Sequence, residues 1–445
     1  MPKPQRIRDP VHDLIEFGVD GFEQMAWRLL ETPEFQRLRR IRQLGFSEFV
    51  FPGTTHSRFA HSIGVFHTAR QLSQRIAKVA ANPNQARAEI AMAAALVHDL
   101  GHGPFSHAFE SAAKKLVPKA RHEEWTAEII LGDTNVGRIL NDYGIKKDVA
   151  DLIADDTPHD IYASIVSSQF DADRLDYVRR DRMMSGVYHG GFDFSWLMAN
   201  LEVDSVPVAR DDETIGEVEA LVLGRKAFQA AEAYVLGLFH LYFTVYFHKT
   251  TRGAEKILTA LLLRVGELVR EKKIDWSGLD ESHPIISFII KPSLDRYLNL
   301  DDFVFFTAFQ SMMSAKDDIV KELSTRLVHR RLYKAIDITA LLTPNGGEAA
   351  VARFKLRLAE AKKSGAFGPI DLLEDNPTRN PYQRRGFETP ESLSKVFIRR
   401  RDGTAFEDLR DSSDVVRALQ ETSMYRVYAR DAKTNATISK LLEGA

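Results

Sequence analysis

An alanine-rich helical stretch, Ala86 to Leu100, runs straight into Gly101-His102-Gly103-Pro104. Glycine and proline end helices, so the chain must turn sharply there. The turn carries His98, Asp99 and His102, and His107 follows soon after the proline. Imidazoles are a poor filling for a bend whose only task is packing, because an unpaired buried imidazole costs free energy. A His-Asp pair at a helix end instead lets neighbouring side chains converge on one point beyond the terminus. Such a turn needs a helical scaffold that brings further polar groups to the same place.

Periodicity supplies that scaffold. Phe59, Ile63, Phe66, Leu72 and Ile76 fall close to one helix face. Further helices are expected from about Phe105, from near His122, across Ser167 to Met184, and over a long span from Phe228 to Val265. Gly45 to Gly53 reads as a short strand or hairpin arm ending in a Pro-Gly turn. Asp375 to Pro390, rich in Pro, Asn and Arg, reads as a linker. After it, Ser394–Gly403 and Ser423–Arg430 alternate as strands do, with a helix-like Ser412–Glu421 between them. The expected fold class is mainly α: a large helical domain over residues 1–330 and a smaller C-terminal α+β lobe over 331–445.

Composition narrows the chemistry. With 445 residues, 44% of them hydrophobic and 27% charged, the chain has ordinary globular composition. Its net charge of −2 offers no global field for nucleic acid or an acidic membrane. The absence of cysteine excludes disulfides, thiolate nucleophiles and cysteine metal sites. No run approaches a membrane span, and Met1–Asp13 has no hydrophobic signal core, so a soluble cytoplasmic protein is expected.

His61, His98 and Asp99 are joined by a second aspartate, Asp173, in the later stretch FDADRLDY. Two imidazoles and two carboxylates form a mixed nitrogen–oxygen set suited to magnesium or a divalent first-row metal. A metal with open positions polarises a phosphoryl oxygen and lowers the pKa of a bound water. A lone histidine on an apolar helix is more often a packed residue than a ligand. Here His102, His107, His122 and Glu123 crowd the same region and shift the balance.

Thr32–Gly45, Val50–Val65, His98–Glu110 and Asp171–Asp181 closely resemble the HD-domain metal phosphohydrolases. The likeness is strongest to the branch of bacterial and vertebrate deoxynucleoside triphosphate triphosphohydrolases. It runs from about Ile7 to beyond Tyr428, with an HD core at about 50–185 and without the sterile-alpha-motif domain of the vertebrate members. The resemblance implies His61, His98, Asp99 and Asp173 as metal ligands, for Mg, Mn, Fe or Zn. It implies Arg58 and Arg174 as phosphate contacts, and His102, His122 and Glu123 as catalytic and supporting groups. His107 becomes the general acid to the leaving 5′-oxygen. Gln43, Leu44, Tyr177 and Asp181 would meet the sugar, Tyr177 crowding the 2′ position and Asp181 bonding the 3′-hydroxyl. Tyr246 and Tyr242 would lie near the base, although aromatic pairs at helical spacing are more often core.

The implied reaction is water attack at the α-phosphorus, releasing deoxynucleoside and inorganic triphosphate. The same resemblance implies a homo-oligomer, a dimer or dimer of dimers. It also implies an activating nucleotide near Arg6–Asp13 and Glu31, Gln36 and Arg39. Leu238 departs from the pattern, standing where vertebrate members have a phosphate-binding arginine. That departure motivates one alternative, a nucleotidase or phosphodiesterase acting on another nucleotide or a single-stranded end; a separate alternative is a non-catalytic nucleotide sensor with a vestigial site, against which the intact ligand set argues. Arg384-Arg385 and Arg399-Arg400-Arg401 are candidates for binding a nucleotide or single strand, against the plainer reading of a solvated face.

Overall fold

The computed structural model describes residues 3–119, 121–154, 159–210, 213–380, 382, 395–403 and 405–443. The chain opens with an antiparallel hairpin, β1 (Gln5–Asp9) and β2 (Asp13–Phe17). Helices α1 (Gly21–Leu30) and α2 (Pro33–Arg37) follow, capped by Asp20 and Thr32, whose side chains accept from backbone N–H groups. Next come α3 (Arg58–Val79), α4 (Gln85–Val97), α5 (His107–Leu116) and α6 (His122–Leu131). Then α7 (Asn135–Asp142), α8 (Lys146–Ala154), α9 (Ala163–Val166) and α10 (Ala172–Ser185) complete the part that carries the conspicuous histidines.

Helix α3 lies at the centre, packed against α4 and α10. The apolar residues on its face, with nearly all of α4, form one core. A second core surrounds α13 (Lys249–Arg270), reached through α11 (Phe194–Ala199) and α12 (Phe228–Leu241); helices Pro284–Ile290, Asp302–Met312 and Asp318–Val328 pack around it. The histidine-rich bend crosses from one core to the other. Leu100 is buried in the first, Phe105 and Phe109 in the second. The site therefore sits on a seam that both cores hold in place.

The small sheets lie elsewhere. A hairpin of β3 (Leu201–Arg210) and β4 (Glu213–Leu223) is extended by β8 (Phe397–Arg399), parallel to β4, and by β9 (Phe406–Asp408). In the C-terminal region β11 (Arg426–Ala429) lies between β5 (Lys334–Asp337) and β6 (Leu372–Asp375), antiparallel to both. Helices Ile338–Lys363 and Ala432–Leu442 cover that sheet, with Ile338, Phe354, Val427 and Ile438 at the core. The fold is thus mainly helical with a smaller α+β C-terminal region. Among the described residues no single helix is long and apolar enough to cross a membrane.

Several expectations need correction. Gly45–Gly53 is not a strand: Gly45–Phe49 is a short 3-10 helix. Gly45 has φ +49°, and Phe46 turns inward to stack on Phe105. Apolar alternation mimicked a strand where a turn was needed. The helix from Ala86 stops at Val97 rather than Leu100, because His98–Gly101 already turn. The next helix begins at His107 rather than Phe105, since Phe105 and Ser106 take φ of +51° and +52°. The helix expected across Ser167–Met184 begins only at Ala172, where Asp171 caps it. The long helix from Phe228 breaks: a π-helical turn spans Tyr242–Tyr246, and α13 restarts at Lys249 with a bend of 56°. His248 caps the restart by accepting from Thr250 N–H. The expected linker contains a short strand, β7 (Thr378–Arg379), paired with β10 (Thr422–Ser423). Arg384-Arg385 lie outside the described residues.

Candidate functional site

His61 sits in the first turn of α3, His98 closes α4, Asp99 follows it, and Asp173 lies in the first turn of α10. Helix packing brings these three segments together. Asp173 Oδ1 is 2.9 Å from His61 Nε2 and 3.8 Å from His98 Nε2. Asp99 Oδ1 is 3.2 Å from His98 Nε2, and its Oδ2 is 3.8 Å from His61 Nε2. The His61 and His98 rings are 5.6 Å apart and nearly perpendicular.

The tautomers follow from the outer partners. His61 Nδ1 faces Asp176 Oδ2 at 2.8 Å, and His98 Nδ1 faces the Ala95 carbonyl at 2.9 Å. In the neutral rings both Nδ1 atoms donate, which leaves each Nε2 aimed at the shared point. Both Nε2 atoms are shut off from solvent, and neither makes an aligned hydrogen bond. Orphaned buried nitrogens are rare unless something else satisfies them. His61, His98 and Asp99 offer ligand atoms within 4.8 Å of one another. The field at this point favours positive charge. Burial pulls the His61 pKa down, yet Asp173 and Asp176 push it up to about 10. Burial pushes Asp99 up, but Arg58, His98 and His102 hold it well below the usual carboxylate range. These residues fit a divalent cation.

The bend after Asp99 is braced from several sides. Gly101 N–H donates to Thr126 Oγ1, and its carbonyl accepts from Tyr297. The His102 carbonyl accepts from buried Arg37. Phe105 and Ser106 carry the strain of positive φ, which costs about 1–3 kcal/mol per residue. Offsetting it, Phe105 is buried and stacks on Phe46 at 4.3 Å, and its N–H donates to Asp302. Burial of such a ring is worth about 1.5–3 kcal/mol. The strained turn aims Ser106 Oγ at Arg58, which donates to it from Nε at 2.9 Å and Nη2 at 2.8 Å. Arg58 Nη1 pairs with Asp99 Oδ2 at 2.5 Å.

Beside this lies a row of imidazoles. His102 stacks on His122 at 3.9 Å, and the His107 ring is 5.7 Å from His102 and 5.9 Å from His122. His102 Nε2 is 3.2 Å from Asp99 Oδ1, while burial, Arg58 and His122 keep its pKa well below the ordinary value. His107 is exposed. Glu110, unremarked in the sequence reading, accepts from His122 Nδ1 at 3.0 Å and lies 3.8 Å from His107 Nδ1. Its place three residues after His107 on α5 was the available signal. Glu123 is 3.4 Å from His122 and pairs with Arg121.

A third group centres on Asp181, two turns after Asp173 on α10. Tyr246 donates to Asp181 Oδ2 at 2.7 Å, and His56 holds Asp181 Oδ1 at 2.9 Å. Tyr177 and Tyr242 lie edge-on to Tyr246 at 6.2 and 4.8 Å. Gln43 N–H donates to the His56 carbonyl, and Leu44 is half-buried against the first core. Arg174 is tied to the Ser168 carbonyl and to Asp171. Leu238 is buried in the first core. Glu31, Gln36 and Arg39 sit apart, around α1 and α2: Glu31 accepts from Trp27, and Gln36 from Arg39, whose guanidinium covers the Phe59 ring at 3.5 Å. Arg399 is held by Glu202 and Asp204 and Arg400 by Glu407, so this pair is tied within the sheet region.

Comparison with known proteins places these groups in context. The family described as HD domain matches residues 58–181. The chain is 34% identical over 382 residues to the uncharacterized protein YwfO of Bacillus subtilis, covering 84% of this chain and 80% of that one. It is 25% identical over 372 residues to the human deoxynucleoside triphosphate triphosphohydrolase SAMHD1, covering 75% of this chain and 55% of that protein. Among solved structures, a phosphohydrolase from Bacteroides thetaiotaomicron superposes with a TM-score of 0.73 at 24% identity, covering 96% of this chain and 100% of that one.

Proposed function

Because this chain belongs to the HD-domain phosphohydrolases, we propose that it hydrolyses deoxynucleoside triphosphates at the α-phosphorus, releasing deoxynucleoside and inorganic triphosphate. The observation that carries this reading is the meeting of two unpartnered imidazole nitrogens and two carboxylates beside a buried arginine and an exposed histidine. His61, His98, Asp99 and Asp173 would hold a divalent ion, for which Mg, Mn, Fe and Zn all suit the donor set. Such an ion supplies Lewis-acid polarisation of a phosphoryl oxygen and activation of water.

The chain's own residues do the rest. Arg58, fixed between Asp99 and Ser106, meets the charge that grows on the phosphoryl oxygens. Arg174 adds a second cation. His107, exposed and beside Glu110, would hand a proton to the departing 5′-oxygen. His102, His122 and Glu123 orient the approaching water. The deoxyribose rests on Gln43, Leu44, Tyr177 and Asp181, and the base lies by Tyr242 and Tyr246. No protein nucleophile is required, since positioning and electrostatics carry phosphoryl transfer. In this reading the protein is a cytoplasmic homo-oligomer, a dimer or dimer of dimers, and Glu31, Gln36 and Arg39 contribute to an activating nucleotide site.

Substituting Arg58→Lys should cut turnover by about 10²-fold, because a point charge cannot bridge Asp99 and Ser106 as the guanidinium fork does. Steady-state kinetics would show a fall in kcat rather than a rise in KM alone. Buried Leu238 favours one second reading, in which the metal chemistry is kept and the ester is another nucleotide or a single-stranded end. Purified protein incubated with each dNTP under each metal decides between them. Equal amounts of deoxynucleoside and triphosphate are expected. Monophosphate or pyrophosphate would reject the triphosphohydrolase reading, and dNTP binding without turnover would point to a sensor.

A further inference from the structure

The segment Arg6–Asp13 finds no part in the chemistry above, yet its turn lies directly behind the metal ligands. The side chain of His12 is 1% exposed, and its Nε2 is 2.6 Å from Asp176 Oδ1. Asp176 is the carboxylate whose other oxygen holds His61 Nδ1 at 2.8 Å. Arg180 completes the set, donating from Nε to Asp176 Oδ2 at 2.7 Å and from Nη2 to Oδ1 at 3.0 Å. The four acceptor directions of Asp176 are thus filled by His12, His61 and two from Arg180.

The turn itself is built to deliver His12. Asp9 accepts from the N–H groups of Val11 and His12 and also from Arg180 Nη1 at 2.8 Å. Arg179 Nη2 lies 3.2 Å from His12 Nδ1, which makes Nδ1 the acceptor and places the ring proton on Nε2, toward Asp176. Gly64 of α3 lets the carboxylate come this close: a Cβ there would lie 2.0 Å from Asp176 Oδ1 and 2.3 Å from Arg180 Nη2.

We infer that His12 is a positioning residue for the metal centre, fixing the orientation of His61 through Asp176 from 49 residues away in sequence. The inference rests on the metal centre proposed above. A carboxylate with one oxygen stripped of a donor rotates to improve its remaining bonds, and the imidazole it holds turns with it. Outer partners of metal-bound histidine typically tune affinity 10–100-fold, and His12 stands one bond further out, so about tenfold is expected for its loss.

The test uses the full-length chain with His12→Leu, which removes the donor, and His12→Gln, whose amide can still donate to Asp176. Zinc and manganese affinities are read by chelator competition, with the Tm of each metal-free protein alongside. The expected result is about tenfold weaker binding for His12→Leu and near-native binding for His12→Gln, at similar metal-free Tm. Native affinity in His12→Leu, while His61→Ala loses the metal, would overturn the inference and spare the metal centre. Equal weakening in both variants that tracks their loss of Tm would reduce His12 to a structural residue and also overturn it. A wild-type chain that takes up neither metal would remove the metal centre and this inference together.

Discussion

Substituting His98→Ala is expected to remove turnover, by about 10³-fold or more, while the fold survives. The loss follows from the several kcal/mol of charge stabilisation that a bound cation supplies, at 1.36 kcal/mol for each tenfold in rate. The fold is expected to survive because the His98 ring makes one hydrogen bond, to the Ala95 carbonyl, at the end of its helix. Asp99→Asn is expected to lose as much activity but to cost stability as well. Asp99 is the buried partner of Arg58, and stripping a buried charge of its partner costs about 3–5 kcal/mol. Metal content, turnover and circular dichroism, measured on both variants, separate the two effects. Retained turnover in His98→Ala would dismiss His98 as a ligand, and the proposed centre with it.

Gly101→Ala should be strongly damaging to both stability and turnover. A Cβ at this position would lie 2.1 Å from the His122 carbonyl oxygen and 2.3 Å from the Thr126 backbone nitrogen. Both contacts are main chain of α6, so no flexible side chain can step aside. The helix must shift, and His122, its first residue, shifts with it, breaking the stack on His102. Overpacking of this kind costs about 1–3 kcal/mol. The loss in rate should be larger in proportion, since a misplacement of about 1 Å can cost 10²-fold. A thermal melt and kcat on the same preparation check this. A variant with native kcat would mean that the bend and α6 are not in tight register.

The parts of this fold that could be read in the sequence are those with short-range causes. The helical class follows from the apolar spacing along α3 and the alanine run of α4, and the sharp turn after Asp99 from Gly101, Gly103 and Pro104. What could not be read depends on partners far along the chain. Phe105 and Ser106 adopt positive φ because Asp302, Phe46 and Arg58 hold them there, and nothing near Phe105 announces that. The long helix after Phe228 has unbroken helical periodicity, and only packing turns Tyr242–Tyr246 into a π-helical turn. Among the proposed site residues, His98 and Asp99 stand out by their place at the helix end, while His61 and Asp173 are picked out by the family resemblance. Asp176 and Glu110 look like ordinary helix-surface acids until the tertiary contacts of His61, His12 and His122 are known.

The pairing of β4 with β8 has a cost during synthesis. Val222 waits for Phe397, so the outer edge of the β3–β4 hairpin stays open while most of the second core and much of the C-terminal region are still being made. Open strand edges are templates for intermolecular pairing, and distant contacts form slowly. The nascent chain is therefore most vulnerable to aggregation after the half that carries the proposed metal centre is already made, and the edge is covered only when β8 emerges late in synthesis.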